Sequence, residues 1–122
     1  MVKTVRVTVD NKIEVLELPD WRLDTTEKAI GADCTETVKT QIMFDLFKDR
    51  IVMVVDESGA VKNRPINSAA SWLYGLQNHG YAIHGDVIFA RQDGPDINPL
   101  ENAELVKLFL KNYFPYLEEV ES

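Results

Sequence analysis

At 122 residues, with 45% hydrophobic and 27% charged side chains, the chain has the composition of one soluble globular domain. It can bury roughly two-thirds of its unfolded surface without a metal or disulfide staple. The net charge of −7 and the scattering of its 13 basic residues argue against direct nucleic-acid binding, which needs clustered Lys and Arg. The lone Cys34 cannot form an internal disulfide, and no apolar run approaches membrane-spanning length, so a cytoplasmic protein without membrane contact is expected.

Residues 4–18 predict a hairpin. Val5, Val7 and Val9 alternate with Thr4, Arg6 and Thr8, Asp10-Asn11 supplies the turn, Ile13 to Leu18 return, and Pro19-Asp20 ends the pair. Asp24-Thr25-Thr26-Glu27 reads as a capping box opening a short helix that stops at Gly31, with Trp21 and Leu23 placed to staple it to the sheet. Residues 35–47 read as a strand carrying Val38, Thr40, Ile42 and Phe44 on one side, before the polar break Lys48-Asp49-Arg50.

Ile51-Val52-Met53-Val54-Val55 is the run around which the domain is expected to form, a strand buried on both faces and paired with 35–47. Asp56-Glu57-Ser58-Gly59 then predicts a tight reversal with Gly59 at positive φ. Ala60-Val61-Lys62 would return beside the strand, and Pro65 would stop the ladder.

Asn67-Ser68 predicts a capped helix through Ala69, Ala70, Trp72 and Leu73 to Gly75, followed by a loop at Asn78-His79-Gly80. Tyr81 to Arg91 reads as a last strand, with Gly85 at a bulge or a close backbone approach. Residues 92–98 read as a linker-like loop. Asn98-Pro99-Leu100-Glu101 announces a longer helix over 99–114, whose regular part ends near Tyr113 because Pro115 clashes one turn back. The fold class expected is α+β: a mostly antiparallel sheet of five or six strands, two short helices at 24–30 and 68–74, and one longer C-terminal helix.

Reactive chemistry finds little footing. Cys34, His79, His84 and scattered acids lack any metal-ligand spacing, and Asp93-Gly94-Pro95-Asp96 lacks the ligand pattern of a calcium loop, so neither metal nor cofactor is expected. There is no G-x-S-x-G elbow, and Gly75, Gly80 and Gly85 follow no phosphate-loop pattern. Asp56 and Glu57 fall on a turn, where water would keep both as ordinary carboxylates. No catalytic residue is expected, and the chain reads as a non-enzyme.

Two binding candidates stand out. Asn63, Arg64 and Asn67, with Trp72 beyond them, put a guanidinium, two amides and an indole in one short segment, a mixture suited to a ligand or partner. The blander alternative has Asn67 capping a helix, Trp72 in the core and Arg64 in water. Phe109, Tyr113, Phe114 and Tyr116 form the second candidate, an aromatic surface for a protein partner or for a homodimer.

Several segments resemble a family of small bacterial, plasmid and phage proteins grouped as a domain of unknown function. That family's pattern runs as an apolar strand, an N-E-E-G-K turn, P-x-N-R, then Y-D-x-I-x-G before a final strand. Here Val54-Val55-Asp56-Glu57-Ser58-Gly59 stands at the turn, Pro65-Ile66-Asn67 at P-x-N, and Tyr81-Ala82-Ile83-His84-Gly85 before Val87-Ile88-Phe89. Ala29-Ile30-Gly31-Ala32 with Glu36-Thr37-Val38 is similar to its V-G-G-Y-I-E segment. Ser58, Ala60 and Ser68 depart from the pattern. The resemblance spans residues 5–90 and implies an accessory protein of a mobile element or its bacterial host.

The function expected is therefore a non-enzymatic interaction protein that binds an unidentified protein partner. The competing expectation is a small-ligand or nucleotide binder with a pocket near Asn63–Asn67, at a dimer seam if the chain self-associates.

Overall fold

The computed structural model describes residues 1–76 and 80–120. Val2–Val7 (β1) and Lys12–Leu18 (β2) form the first hairpin, with Val5 opposite Val15 and Val7 opposite Ile13. Asn11 makes the turn at φ 59°, a left-handed conformation that Asn tolerates better than most residues. Leu23–Ile30 (α1) follows, then Thr35–Val38 (β3), Gln41–Phe47 (α2) and Ile51–Asp56 (β4). Ser68–Tyr74 (α3), Val87–Asp93 (β5), Asp96–Asn98 (β6), Ala103–Tyr113 (α4) and Glu118–Glu119 (β7) complete the chain.

The strands join in the order β3-β4-β5-β1-β2-β7, with β6 folded back on β5. Every pairing is antiparallel except the short parallel contact of β7 with β2.

All six residues of β4 are buried because both faces of the sheet are covered there. Side chains alternate between the faces with the pleat. On one face Val5, Val7, Met53, Val55, Val87 and Phe89 pack under α2, α3 and α4 through Met43, Leu73, Leu110 and Phe114. On the other, Val52, Val54, Ile88 and Ala90 pack under α1 through Ala29 and Ile30. The α+β class and the mostly antiparallel sheet agree with expectation. The described residues hold seven strands and four helices, more than the five or six and three expected.

The extra elements have local causes. The stretch 35–47 is a strand only to Val38. Thr40 then accepts the Met43 amide at 3.3 Å and donates to the Leu73 carbonyl at 2.7 Å, starting α2 where a continuous strand was expected. The 92–98 loop is a tight turn at Gly94-Pro95 joining β5 to β6. The last strand starts at Val87, not Tyr81, since residues 81–86 hold the sheet's end by one isolated bridge, Ile66 to His84.

Both outer helix starts also move. The first turn of α1 has no side-chain cap: the Asp24 carboxylate accepts only the adjacent Thr25 amide, so the expected capping box does not form. The last helix begins at Ala103, capped by Asn102, whose side chain accepts the Leu105 amide at 3.1 Å; it ends at Tyr113 as its sequence requires. Asn78 and His79, assigned to a loop, lie outside the described residues.

Candidate functional site

The predicted return of Ala60-Val61-Lys62 beside β4 does not occur. Residues 57–63 curl through successive turns, with Lys62 N donating to Ser58 O at 3.0 Å and Arg64 N to Gly59 O at 3.0 Å. Gly59 is not at positive φ; Asn63 is, at 57°. Glycine is needed at 59 for a different reason: a Cβ there would crowd the backbone of His84, lying 3.1 Å from its carbonyl carbon.

That curl delivers Arg64 to the centre of a polar knot. Its Nη1 donates to the carbonyls of Ile30 at 2.8 Å and Gly31 at 3.2 Å and to Asp56 Oδ2 at 3.1 Å. Gly31 and Gly85 lie against the guanidinium, with built Cβ positions 3.3 and 3.1 Å from it. Arg6 meanwhile donates to the Ala29 carbonyl at 2.9 Å. All four terminal carbonyls of α1 are thereby matched, since Glu27 and Lys28 accept from the Ala32 and Gly31 amides. Two guanidiniums at the negative end of the helix dipole also give favourable electrostatics.

Asp56 is the acid partner of this knot. It is buried, contrary to its expected place on a solvated turn. Burial by itself would raise its pKa. The Lys62 ammonium at 2.8 Å, the Ser58 amide at 2.9 Å and Arg64 outweigh that, and the carboxyl is held below its ordinary value.

Asn67 closes the knot from below. It is wholly buried, its amide nitrogen donating to the carbonyls of Val7 at 3.0 Å and Gly85 at 3.1 Å while its oxygen accepts the Ala70 amide at 3.2 Å. The His84 Nδ1–H donates to the Arg64 carbonyl at 2.7 Å. Parts of several segments that carry the resemblance, among them Ile30-Gly31, Asp56 and His84-Gly85, thus meet around one arginine. Their polar groups bond to each other and to the backbone: Arg64 to Asp56 and the end of α1, Asn67 to Val7, Gly85 and Ala70. Asn63 is exposed and serves the turn.

The two binding candidates read from the sequence touch each other. Trp72 is not in the core: it is 42% exposed, and its indole N–H donates to the Tyr113 hydroxyl at 3.0 Å. Tyr113 is 45% and Tyr116 48% exposed. Both rings meet Phe114 edge-on, at centroid distances of 4.9 and 5.9 Å. Phe114 itself is 4% exposed and belongs to the core, and Phe109 is half-buried against Phe47 at 6.2 Å. The surface part of the aromatic candidate is therefore Tyr113 and Tyr116, set on a buried Phe114 and joined by Trp72 of the other candidate.

Among the described residues, no group of three or more His, Cys, Asp or Glu is placed to hold a metal ion. No helix among them is long and apolar enough to cross a membrane.

Fold and site together define a small α+β domain with a polar cluster around Arg64 and with Trp72, Tyr113 and Tyr116 at its surface. The chain matches the model of a domain of unknown function, DUF3846, over residues 2–113, and it belongs to that family. Neither the curated proteins nor the solved structures gave a match to it.

Proposed function

We propose that this chain is a non-enzymatic accessory protein, cytoplasmic and encoded by a mobile element or its bacterial host, that acts by binding another protein. The observation that carries the reading is the exposed trio Trp72, Tyr113 and Tyr116, the two tyrosines seated on the buried Phe114 and Trp72 bonded to Tyr113. Rigid amphipathic rings give a large contact area at low entropic cost, and such residues are enriched at binding hot spots. Because the Tyr113 oxygen accepts from Trp72, its own proton remains to be donated to a partner's acceptor. The engagement of Asp56, Lys62, Arg64 and Asn67 with one another and with the backbone also supports a recognition role over a catalytic one.

The test compares affinity capture from host lysate by the wild-type chain and by a Trp72→Ala/Tyr116→Ala variant of matched melting temperature. A partner retained by the first and lost by the second is the expected result. Equal capture by both, or none by the wild type, overturns the reading. Light scattering of the same pair reports whether the partner is a second copy.

A further inference from the structure

The outer edge of the sheet at β3 has no neighbouring strand among the described residues. Its parity follows from the ladder. Cys34 O accepts the Glu57 amide at 3.0 Å, and Thr35, Thr37 lie opposite Asp56, Val54. In an antiparallel pair, alternate residues turn both backbone groups toward the partner. Cys34, Glu36 and Val38 therefore face β4, while Thr35 and Thr37 turn their N–H and C=O outward. No hydrogen bond to those outward groups occurs among the described residues.

A concavity flanks this edge on each face. On the α1 side lies one of about 230 Å³, lined by Trp21, Leu23, Thr26, Thr37, Val54 and Ile97. On the opposite side lies one of about 190 Å³, lined by Glu36, Glu57, Tyr74, Tyr81, Ile83 and His84. A strand added to β3 would send alternate side chains into the two. One hollow is neutral and partly apolar, and three acidic residues line the other: Glu36, Glu57 and Asp56, the last already paired with Lys62 and Arg64.

We propose that β3 is a docking edge for an extended peptide of a partner protein, one that alternates basic with apolar residues and adds to the sheet as an eighth strand. Its apolar side chains enter the Trp21 side and its lysines or arginines the Glu36–Glu57 side.

Charge selects this occupant. Asp33, Glu36 and Glu57 are exposed along the first half of the edge, and the nearby Lys62 is already engaged by Asp56 at 2.8 Å and Asp33 at 3.8 Å. The Cys34 thiol, which donates to Glu57 Oε2 at 2.8 Å, has its pKa raised by that bond and by the charges of Glu57, Glu27 and Asp56, the mark of a negative local field.

A second copy is disfavoured. Pairing Thr35 with Thr37 of another β3 sets Glu36 directly opposite Glu36, and like charges so placed repel. Proteins guard short edges with charge, and an acidic guard excludes acidic strands and itself while admitting basic ones. The edge shares no residue with the Trp72–Tyr113–Tyr116 cluster, and the inference stands whether or not that cluster binds.

The exposed Cys34 at the head of the strand makes the test direct. A synthetic peptide alternating lysine and valine is titrated into the full chain. Amide shifts and the rate of maleimide labelling at Cys34 are followed. Expected are shifts centred on Thr35 and Thr37 and labelling slowed about tenfold or more, as for a thiol covered by a paired strand.

Three changes should each weaken binding by about fivefold or more: alternate N-methylation of the peptide, glutamate in place of lysine, and Thr37→Pro, which removes an outward N–H and leaves the β4 ladder intact. Should Thr37→Pro not fold, Glu36→Lys/Glu57→Lys serves in its place. Absence of binding, shifts centred on Trp72 and Tyr113, or equal affinity for the N-methylated peptide would each overturn the proposal.

Discussion

Gly59 packs directly onto the backbone of His84, close enough that a Cβ at 59 would lie 3.2 Å from the His84 Cβ and nearer still to its carbonyl oxygen. That oxygen belongs to a segment pinned on both sides. Asn67 N donates to Ile83 O at 2.8 Å, and Gly85 N to Pro65 O at 2.9 Å. The loop after β4 and the segment before β5 are therefore one unit, and neither can recede to admit a methyl group. Gly59→Ala should cost about 3 kcal/mol, the upper end of the roughly 1–3 kcal/mol typical of overpacking, because the site cannot relax. Gly94 offers the contrast. It lies at φ 60° with open space where a Cβ would point, so Gly94→Ala should cost only about 1 kcal/mol of backbone strain. Urea denaturation of the two variants checks the order.

Arg64 joins Asp56 to the end of α1, and replacing it takes a donor from the Ile30 and Gly31 carbonyls while Asp56 keeps Lys62 and the Ser58 amide. Arg64→Met should destabilise by about 2 kcal/mol, as for buried carbonyls left without a donor beside an acid that keeps its second cation. Arg64→Lys should recover only part of this, since an ammonium cannot reach Asp56 and both carbonyls in the guanidinium's planar geometry. Thermal unfolding at neutral pH reads both.

Asp56, held ionised against its burial by Lys62, the Ser58 amide and Arg64, also sets a pH dependence. Asp56 has a folded pKa below its unfolded value, so the native state binds fewer protons than the unfolded one across that interval. Its contribution is complete above the unfolded pKa of about 3.9 and fades as pH falls through the lower folded value. Stability measured from pH 5 downward should fall, and the fall should be shallower in Asp56→Asn. An unchanged slope in that variant would show that other carboxylates carry the acid sensitivity.

Asn67 satisfies three backbone groups from a site with no exposure to water. Asn67→Ala should cost about 3 kcal/mol, combining a lost helix cap with two buried carbonyls left unpaired. Asn67→Asp should be no better, because a carboxylate can cap α3 yet cannot donate to Val7 and Gly85. Loss of helical signal confined to part of the chain, with the sheet retained, would separate the cap from the carbonyl anchors.

Tyr113→Phe removes the acceptor of the Trp72 indole at an exposed position. Stability should change by no more than about 0.5 kcal/mol, as for other surface substitutions. The Trp72 fluorescence should shift as its N–H turns to water. A large loss of stability would mean that the pair is part of the core and not a surface feature.

The elements legible from residues alone were those whose signals are local. β4 declares itself by five apolar residues in a row, the first hairpin by period-two alternation ending at Asn11, and α3 by the Asn67 cap. The end of α4 at Tyr113 follows from Pro115, which cannot continue a helix. In each case the deciding contacts lie within a few positions along the chain.

Elements decided by distant partners were not legible. Residues 41–47 suit a strand or a helix by pattern, and Thr40 bonding to Leu73 across the fold starts the helix. Residues 81–86 carry strand-forming side chains, yet Arg64 and Asn67 fill the space where a ladder would run. The parallel contact of β7 with β2 joins positions about a hundred residues apart and leaves no local trace.

The candidate sites divide the same way. Residue types pointed to Arg64, Asn67 and Trp72 as unusual, but exposure decides between scaffold and surface, and exposure belongs to the folded chain. The sequence by itself determined the class of fold, the central strand and the absence of recognisable catalytic spacing, because these rest on local pattern and composition. Only the tertiary structure turned Arg64 and Asn67 inward, lifted Trp72 onto Tyr113 and, among the described residues, left the β3 edge open, because each outcome is set by contacts between residues far apart in the chain.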